Sequence, residues 1–180
     1  MWEPKEPKPA KLIVGILAPD ERCLKAAIER LVAAFGDLDR VSEIWPFTQT
    51  KYYTNEIGQT VLRQFVTMEK LVHPGQLAAI KHQTNRMEQD LAASLDLSVP
   101  RPVNLDPGLI EPSKLILAST KNFSHRIYIG DRMYAEVTLL YDKGHWCPMQ
   151  YTFPDYKQDR YHAFFSKVRA RLVEQLRGYK

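Results

Sequence analysis

Lys11-Leu12-Ile13-Val14-Gly15-Ile16-Leu17-Ala18, closed by Pro19-Asp20-Glu21, is the stretch from which the rest of the chain can be read. It is short, aliphatic and stopped by proline, which describes a buried strand. Asp20 then suits a helix N-cap. Leu24, Ala27, Ile28, Leu31 and Phe35 recur at helical spacing from Glu21 to Phe35, and Gly36 stops the run. The chain therefore starts its core with β followed by α. The same stretch settles two negatives. It is far too short to cross a bilayer, and Pro19-Asp20-Glu21 makes no signal-peptidase site.

Upstream, residues 1–10 are rich in proline and lysine without apolar periodicity, and are expected to form a loose arm ahead of one domain over residues 11–180. Downstream, Val41, Ile44, Trp45 and Phe47 mark a strand over 41–47, with Pro46 placing it at an edge or bend. The segment Thr60–Leu71 fits a helix through Val61, Phe65 and Met68, but its β-branched content and its neighbours' need of a partner favour a strand. His73-Pro74-Gly75 opens a helix to about Leu95, with proline in the first turn. Its inner stripe and flanks include Leu77, Ile80, Lys81, Thr84, Met87, Glu88 and Leu91. Val103-Asn104-Leu105 reads as a short strand entering a turn at Asp106-Pro107-Gly108.

Ser113–Ser119 is a strong strand. Arg126–Ile129 and Met133–Tyr141 form a hairpin through Gly130-Asp131. Asp142–His145 is another turn, and Trp146–Phe153 holds a further short strand. A last helix from about Asp155 to Gly178 buries Tyr161, Phe164, Phe165, Val168, Leu172 and Leu176. The expected fold is α+β. A ferredoxin-like β-α-β-β-α-β core is extended by an antiparallel β meander and a C-terminal helix.

Charge limits the partners. The net charge is +4 with both signs interleaved, so there is no concentrated basic stripe and nucleic acid is disfavoured. Cys23 and Cys147 form no CxxC pair, as suits a reducing, cytoplasmic compartment. His145 and Cys147 share a strand face, but no further ligands stand at recognised spacing, and no metal site is assigned. P-loop, GxGxxG, GxSxG and HExxH patterns are absent, and no cofactor is implied.

Candidate chemistry comes from the hairpin. With Gly130-Asp131 as its loop, counting back sets His125 opposite Glu136 on one face of the sheet. A carboxylate beside an imidazole fixes its tautomer and raises its basicity, which is the machinery of a general base or a phosphate clamp. Met133, Ala135, Val137, Leu139 and Tyr141 form the strand's apolar face, leaving Glu136 on a solvated one and directing Arg126 to the apolar side. Asp106, Lys114, Lys121 and Arg126 are candidate ligand-binding residues around this pair, and Tyr52 and Tyr53, with Tyr156, could stack a planar group.

Several motifs in order resemble the bacterial family called domain of unknown function 4416. They are Lys11–Leu17, Thr50–Tyr53, Val103–Gly108, Ser124–Tyr128, Tyr134–Leu139 and Thr152–Tyr156. The resemblance spans nearly the whole chain from Lys8 onward. It implies a small stand-alone bacterial protein and carries no activity or ligand that could be transferred. The residues alone point first to a protein that binds, or an enzyme that acts on, an anionic phosphorylated or nucleotide-like small molecule around strands 121–138. A homo-oligomeric assembly protein without catalysis ranks second, and an RNA-associated module third.

Overall fold

The computed structural model describes residues 2–49 and 56–179. Tyr52 and Tyr53 lie outside the described residues. The elements are β1 (Ala10–Ala18), α1 (Glu21–Phe35), β2 (Leu38–Val41), β3 (Trp45–Pro46), β4 (Leu62–Val72), α2 (Leu77–Ser94), β5 (Asn104–Glu111), β6 (Lys114–Ser119), β7 (Ile127–Gly130), β8 (Met133–Asp142), β9 (His145–Pro148) and α3 (Asp159–Leu176). Short 3-10 turns at Pro74–Gln76 and Pro154–Lys157 lead into α2 and α3. None of these helices is both long and apolar enough to cross a membrane.

The strands form one sheet in the order β2-β4-β1-β5-β6-β8-β7, with β3 on β4 and β9 on β8. Every pairing is antiparallel. β1 is central and buried along its whole length, which explains its unbroken aliphatic run. On one face Leu12, Val14, Ile16 and Ala18 pack under α1 and α2 through Leu24, Ala27, Leu31, Ile80, Met87 and Leu91. On the other, Ile13 joins Phe65, Ile110, Leu115, Leu117, Leu139 and Trp146 beneath α3. That helix buries Tyr161, Phe164, Phe165, Val168, Leu172 and Leu176, as its spacing requires. Each such side chain contributes about 1.5–3 kcal/mol of burial. Asp20 caps α1 by accepting a hydrogen bond from the Cys23 amide at 2.8 Å.

Four local expectations are corrected. The strand over 41–47 is split into β2 and β3. Between them Ser42 turns its side chain to the ladder, its Oγ accepting from the Phe65 amide at 2.9 Å, and Pro46 has no amide to give. The segment after β5 is no meander, because β6 pairs with β8 rather than β7, and β7 and β9 both lie on the other edge of β8. The hairpin loop is Asp131-Arg132, with Gly130 opposite Met133. Both loop residues have positive φ (48° and 61°), the geometry that matches strand twist, and Gly130 at φ 95° takes up the irregularity beside it. Finally, Asp106-Pro107-Gly108 is no turn but the middle of β5, opposite Gly15, Val14 and Ile13.

That last correction shapes the molecule. The β5–β6 ladder runs only from Gly108↔Leu117 to Glu111↔Lys114. Leu105 faces away from β1, and its amide and carbonyl are met by α2 side chains instead of a strand. Strand alternation turns residue 107 to the same side, and proline has no N–H to offer β6. The sheet therefore parts between β5 and β6 just before Gly108. Glycine is needed there because a Cβ would run into the Ile116 carbonyl oxygen, not because of a turn.

Candidate functional site

The parting of β5 and β6 opens a cavity of about 610 Å³, within the range of small-molecule sites. Its apolar wall includes Phe47, Leu117, Ala118, Phe153 and Pro154. Three charged groups close it, each built on a different set of elements.

The first lies where β4, β5 and the turn before α3 meet. Arg63 on β4 donates from Nη1 to Asp106 Oδ2 at 3.3 Å and from Nη2 to Asp155 Oδ2 at 3.0 Å. Asn104 Nδ2 also donates to Asp106 Oδ2, at 2.8 Å. The guanidinium lies against the rings of Phe47, Phe65 and Tyr156, with centroid distances of 5.3–5.8 Å. Gly15 forms the seat: a Cβ there would stand 2.8 Å from Arg63 Nη1 and 3.2 Å from Tyr156 Oη. Burial works against the Arg63 cation, while the carboxylates of Asp155 and Asp106 favour it, and its pKa is held above the usual value. Burial pushes the Asp155 carboxyl up, with Arg63 opposing. It also lifts the Tyr156 phenol well above its ordinary range, so that group stays protonated. Arg63 Nε and Tyr156 Oη are buried and have no hydrogen-bond partner among the described residues.

The second group pins α2 to β5. Lys81 Nζ donates to the Leu105 carbonyl at 2.8 Å, and Glu88 Oε1 accepts from the Leu105 amide at 2.7 Å. Glu88 Oε2 also takes Arg101 Nη2 at 2.6 Å, and Arg101 Nη1 reaches Glu56 at 3.2 Å. Burial raises the Glu88 pKa, opposed by Lys81 and Arg101.

The third group stands on β8 and the segment between β6 and β7. Glu136 is 3% exposed. Its Oε1 accepts from Thr138 at 3.2 Å, and its Oε2 accepts from Arg126 Nε at 2.9 Å and lies 3.0 Å from His125 Nε2. Arg126 Nη1 continues to Ser119 Oγ at 2.9 Å and to the Lys121 carbonyl at 3.0 Å. No described residue bonds its Nη2. The His125 ring stacks on Tyr151 at 4.0 Å between centroids.

His125 and Glu136 thus meet, though by a register shifted one residue from the expected one. Ile127 opposes Ala135, so Arg126 takes the position that counting had given to His125. Arg126 does not point to an apolar side, and Glu136 and Thr138 are buried rather than solvated, with Tyr151 and Thr152 bonding to the Val137 and Thr138 carbonyls beside them. Asp106, Lys121 and Arg126 line the cavity with Glu136, whereas His125 is not among its lining residues. Lys114 sits at the far end of β6, paired with Glu111 at 2.6 Å, and is separate from the cavity. Among the described residues no three His, Cys, Asp or Glu side chains stand together as metal ligands.

Sequence reasoning missed Arg63, Asn104 and Asp155 as site residues, and placed Lys81 and Glu88 in the helix stripe without a role. For Arg63, Lys81 and Glu88 the signal is positional, since each occupies a place where the period of its strand or helix calls for an apolar side chain, whereas Asp155 stands in a turn and carries no such signal.

The family model described as domain of unknown function 4416 matches residues 8–172 of the chain. No curated protein and no solved structure matches it.

Proposed function

We propose, from the premise that the chain belongs to the domain of unknown function 4416 family, that it binds a small phosphorylated molecule in the cavity between β5 and β6. The observation that carries this is Arg126. Glu136 and Ser119 fix its guanidinium at the cavity wall, and Nη2 has no partner among the described residues. A planar fork held from behind is suited to a phosphate oxygen, and Lys121 adds positive charge on the same wall. Glu136 and His125 serve here as positioning groups. Both carboxylate oxygens are already occupied, and the imidazole is stacked on Tyr151.

In the same reading, β1, α1, β2, β4, α2 and β5 make up a ferredoxin-like unit, and β6–β9 with α3 are the extension that supplies the anion-binding wall. Helices lie over both faces of the sheet. That argues against the base-stacking platform an RNA module would need.

Titration calorimetry with simple phosphomonoesters tests the proposal. Arg126→Lys keeps the charge but loses the fork, and Lys121→Gln removes a charge. Each is expected to weaken binding about tenfold, or about 1.4 kcal/mol. Unchanged affinity in both, with native circular dichroism, would remove Arg126 and Lys121 from the site.

A second reading rests on exposure. Phe123, Ile127 and Tyr128 are 64%, 70% and 58% exposed along the β7 edge, where a second copy could pair. A molecular mass by light scattering that stays monomeric up to millimolar concentration would dismiss it.

A further inference from the structure

Two of the polar groups that line the cavity differ in sign and in what they lack. At Arg126 the open group is a cationic donor. At the other a single guanidinium, Arg63, stands between two carboxylates, so the local balance is negative and a second anion is unwelcome. Yet this group has unfilled hydrogen-bonding capacity. Both bonds to Asp106 fall on Oδ2, leaving Oδ1 without a donor among the described residues on a side chain that lines the cavity. Tyr156, 2% exposed and also a lining residue of the cavity, has its buried Oη without a hydrogen-bond partner among the described residues. An acceptor oxygen and an idle phenol beside it call for a neutral ligand group that both donates and accepts.

A hydroxyl has that property, and a pair of adjacent hydroxyls could satisfy both protein groups at once. Burying these polar atoms unpaired is costly, so the ligand that fills them gains more than one that leaves them empty. The apolar wall of Phe47, Leu117 and Phe153 lies along the cavity and suits the carbon face of a ring.

Resting on the proposal that a phosphate lies against Arg126, we infer that the ligand is a hydroxyl-bearing phosphomonoester. Its phosphate sits against Arg126, and its hydroxyls are read by Asp106 Oδ1 and Tyr156 Oη. Two sources share this chemistry, a free sugar phosphate and a nucleoside monophosphate, and matched pairs separate them.

The test is titration calorimetry of the full chain with two pairs. One is ribose 5-phosphate against tetrahydrofurfuryl phosphate, the same ring without its hydroxyls. The other is adenosine 5′-monophosphate against its 2′,3′-dideoxy form. The hydroxylated member of at least one pair is expected to bind about tenfold tighter. The pair that shows the preference names the source.

Tyr156→Phe removes a hydroxyl that makes no protein bond, so the fold should keep its melting temperature. Its hydroxyl preference should fall several-fold while its affinity for the hydroxyl-free phosphate stays put. Asp106→Asn, which retains the side-chain shape but weakens the pair with Arg63, should lose the same hydroxyl preference at some cost in melting temperature. Equal binding of both members of each pair by the wild-type chain, or a preference untouched in both variants, overturns this inference and leaves the phosphate reading standing. Absence of binding by all four compounds overturns both.

Discussion

Arg63→Met asks how much of the fold depends on one buried cation. The side chains of Arg63 and Asp155 are 3% and 6% exposed and stand 3.0 Å apart, so deleting the guanidinium leaves Asp155 as an uncompensated carboxylate. Asp106 suffers less, since its side chain is 26% exposed and it keeps the bond from Asn104. Removing one member of a buried pair costs about 3–5 kcal/mol. Methionine fits among the rings of Phe47, Phe65 and Tyr156, which favours the lower figure of about 3 kcal/mol, or roughly 6–12 °C in Tm for a chain of this length. The loss has a definite pH dependence. Burial already raises the Asp155 pKa and Arg63 opposes it, so removing Arg63 raises it further. Between the unfolded carboxylate value near 3.8 and that raised value, the folded state holds a proton the unfolded state has released, and stability falls as pH rises. The deficit is therefore smaller at pH 4.5 than at pH 7.5. Urea unfolding followed by circular dichroism at both pH values measures it, and Arg63→Met with Asp155→Asn should recover more than half at pH 7.5. A deficit below about 1 kcal/mol at pH 7.5, or one that grows on acidification, would refute the reasoning.

Three further outcomes follow from single contacts. Asp20→Ala removes the cap on the Cys23 amide and should lower stability by about 1 kcal/mol, seen as a few degrees in a thermal melt at neutral pH. The Cys23 amide bond holds the Asp20 pKa down, so its stabilisation is present above the ordinary carboxylate range and fades as pH falls below it. Gly108→Ala drives a Cβ at the Ile116 carbonyl and should cost about 1–3 kcal/mol, with hydrogen exchange accelerated at residues 115–117; unchanged protection there would contradict the close approach. Lys114→Ala breaks only the part-exposed pair with Glu111, so stability should change by less than about 1 kcal/mol and phosphomonoester affinity not at all; a tenfold affinity loss would return Lys114 to the site.

The hydrophobic period placed α1, with Asp20 and Gly36 at its ends, and the buried face of α3, while composition gave the strand character of β1 and β4. These depend on neighbours within a turn or a strand, and the chain states them directly. Proline and glycine misled where distance mattered. Asp106-Pro107-Gly108 has the composition of a turn, but β1 holds it extended, and its proline and glycine answer to β6 and Ile116 across the sheet. The meeting of His125 with Glu136 was legible, while its register was not. The loop falls one residue later than counted, moving the register by two, and a bulge at Ile129 takes one step back, which sets Arg126 opposite Glu136; nothing local marks where a bulge falls.

By itself, then, the sequence determined the helices, the apolar strands and the family, because local spacing and turn chemistry are written residue by residue. Only the tertiary structure decided that β5 and β6 part, that Arg63, Asp106, Asp155 and Tyr156 converge from three distant segments, and that Lys114 stays away. The physical reason is that a cavity belongs to no segment. It exists where pairing between two strands stops, and its charges come from segments far apart in the chain.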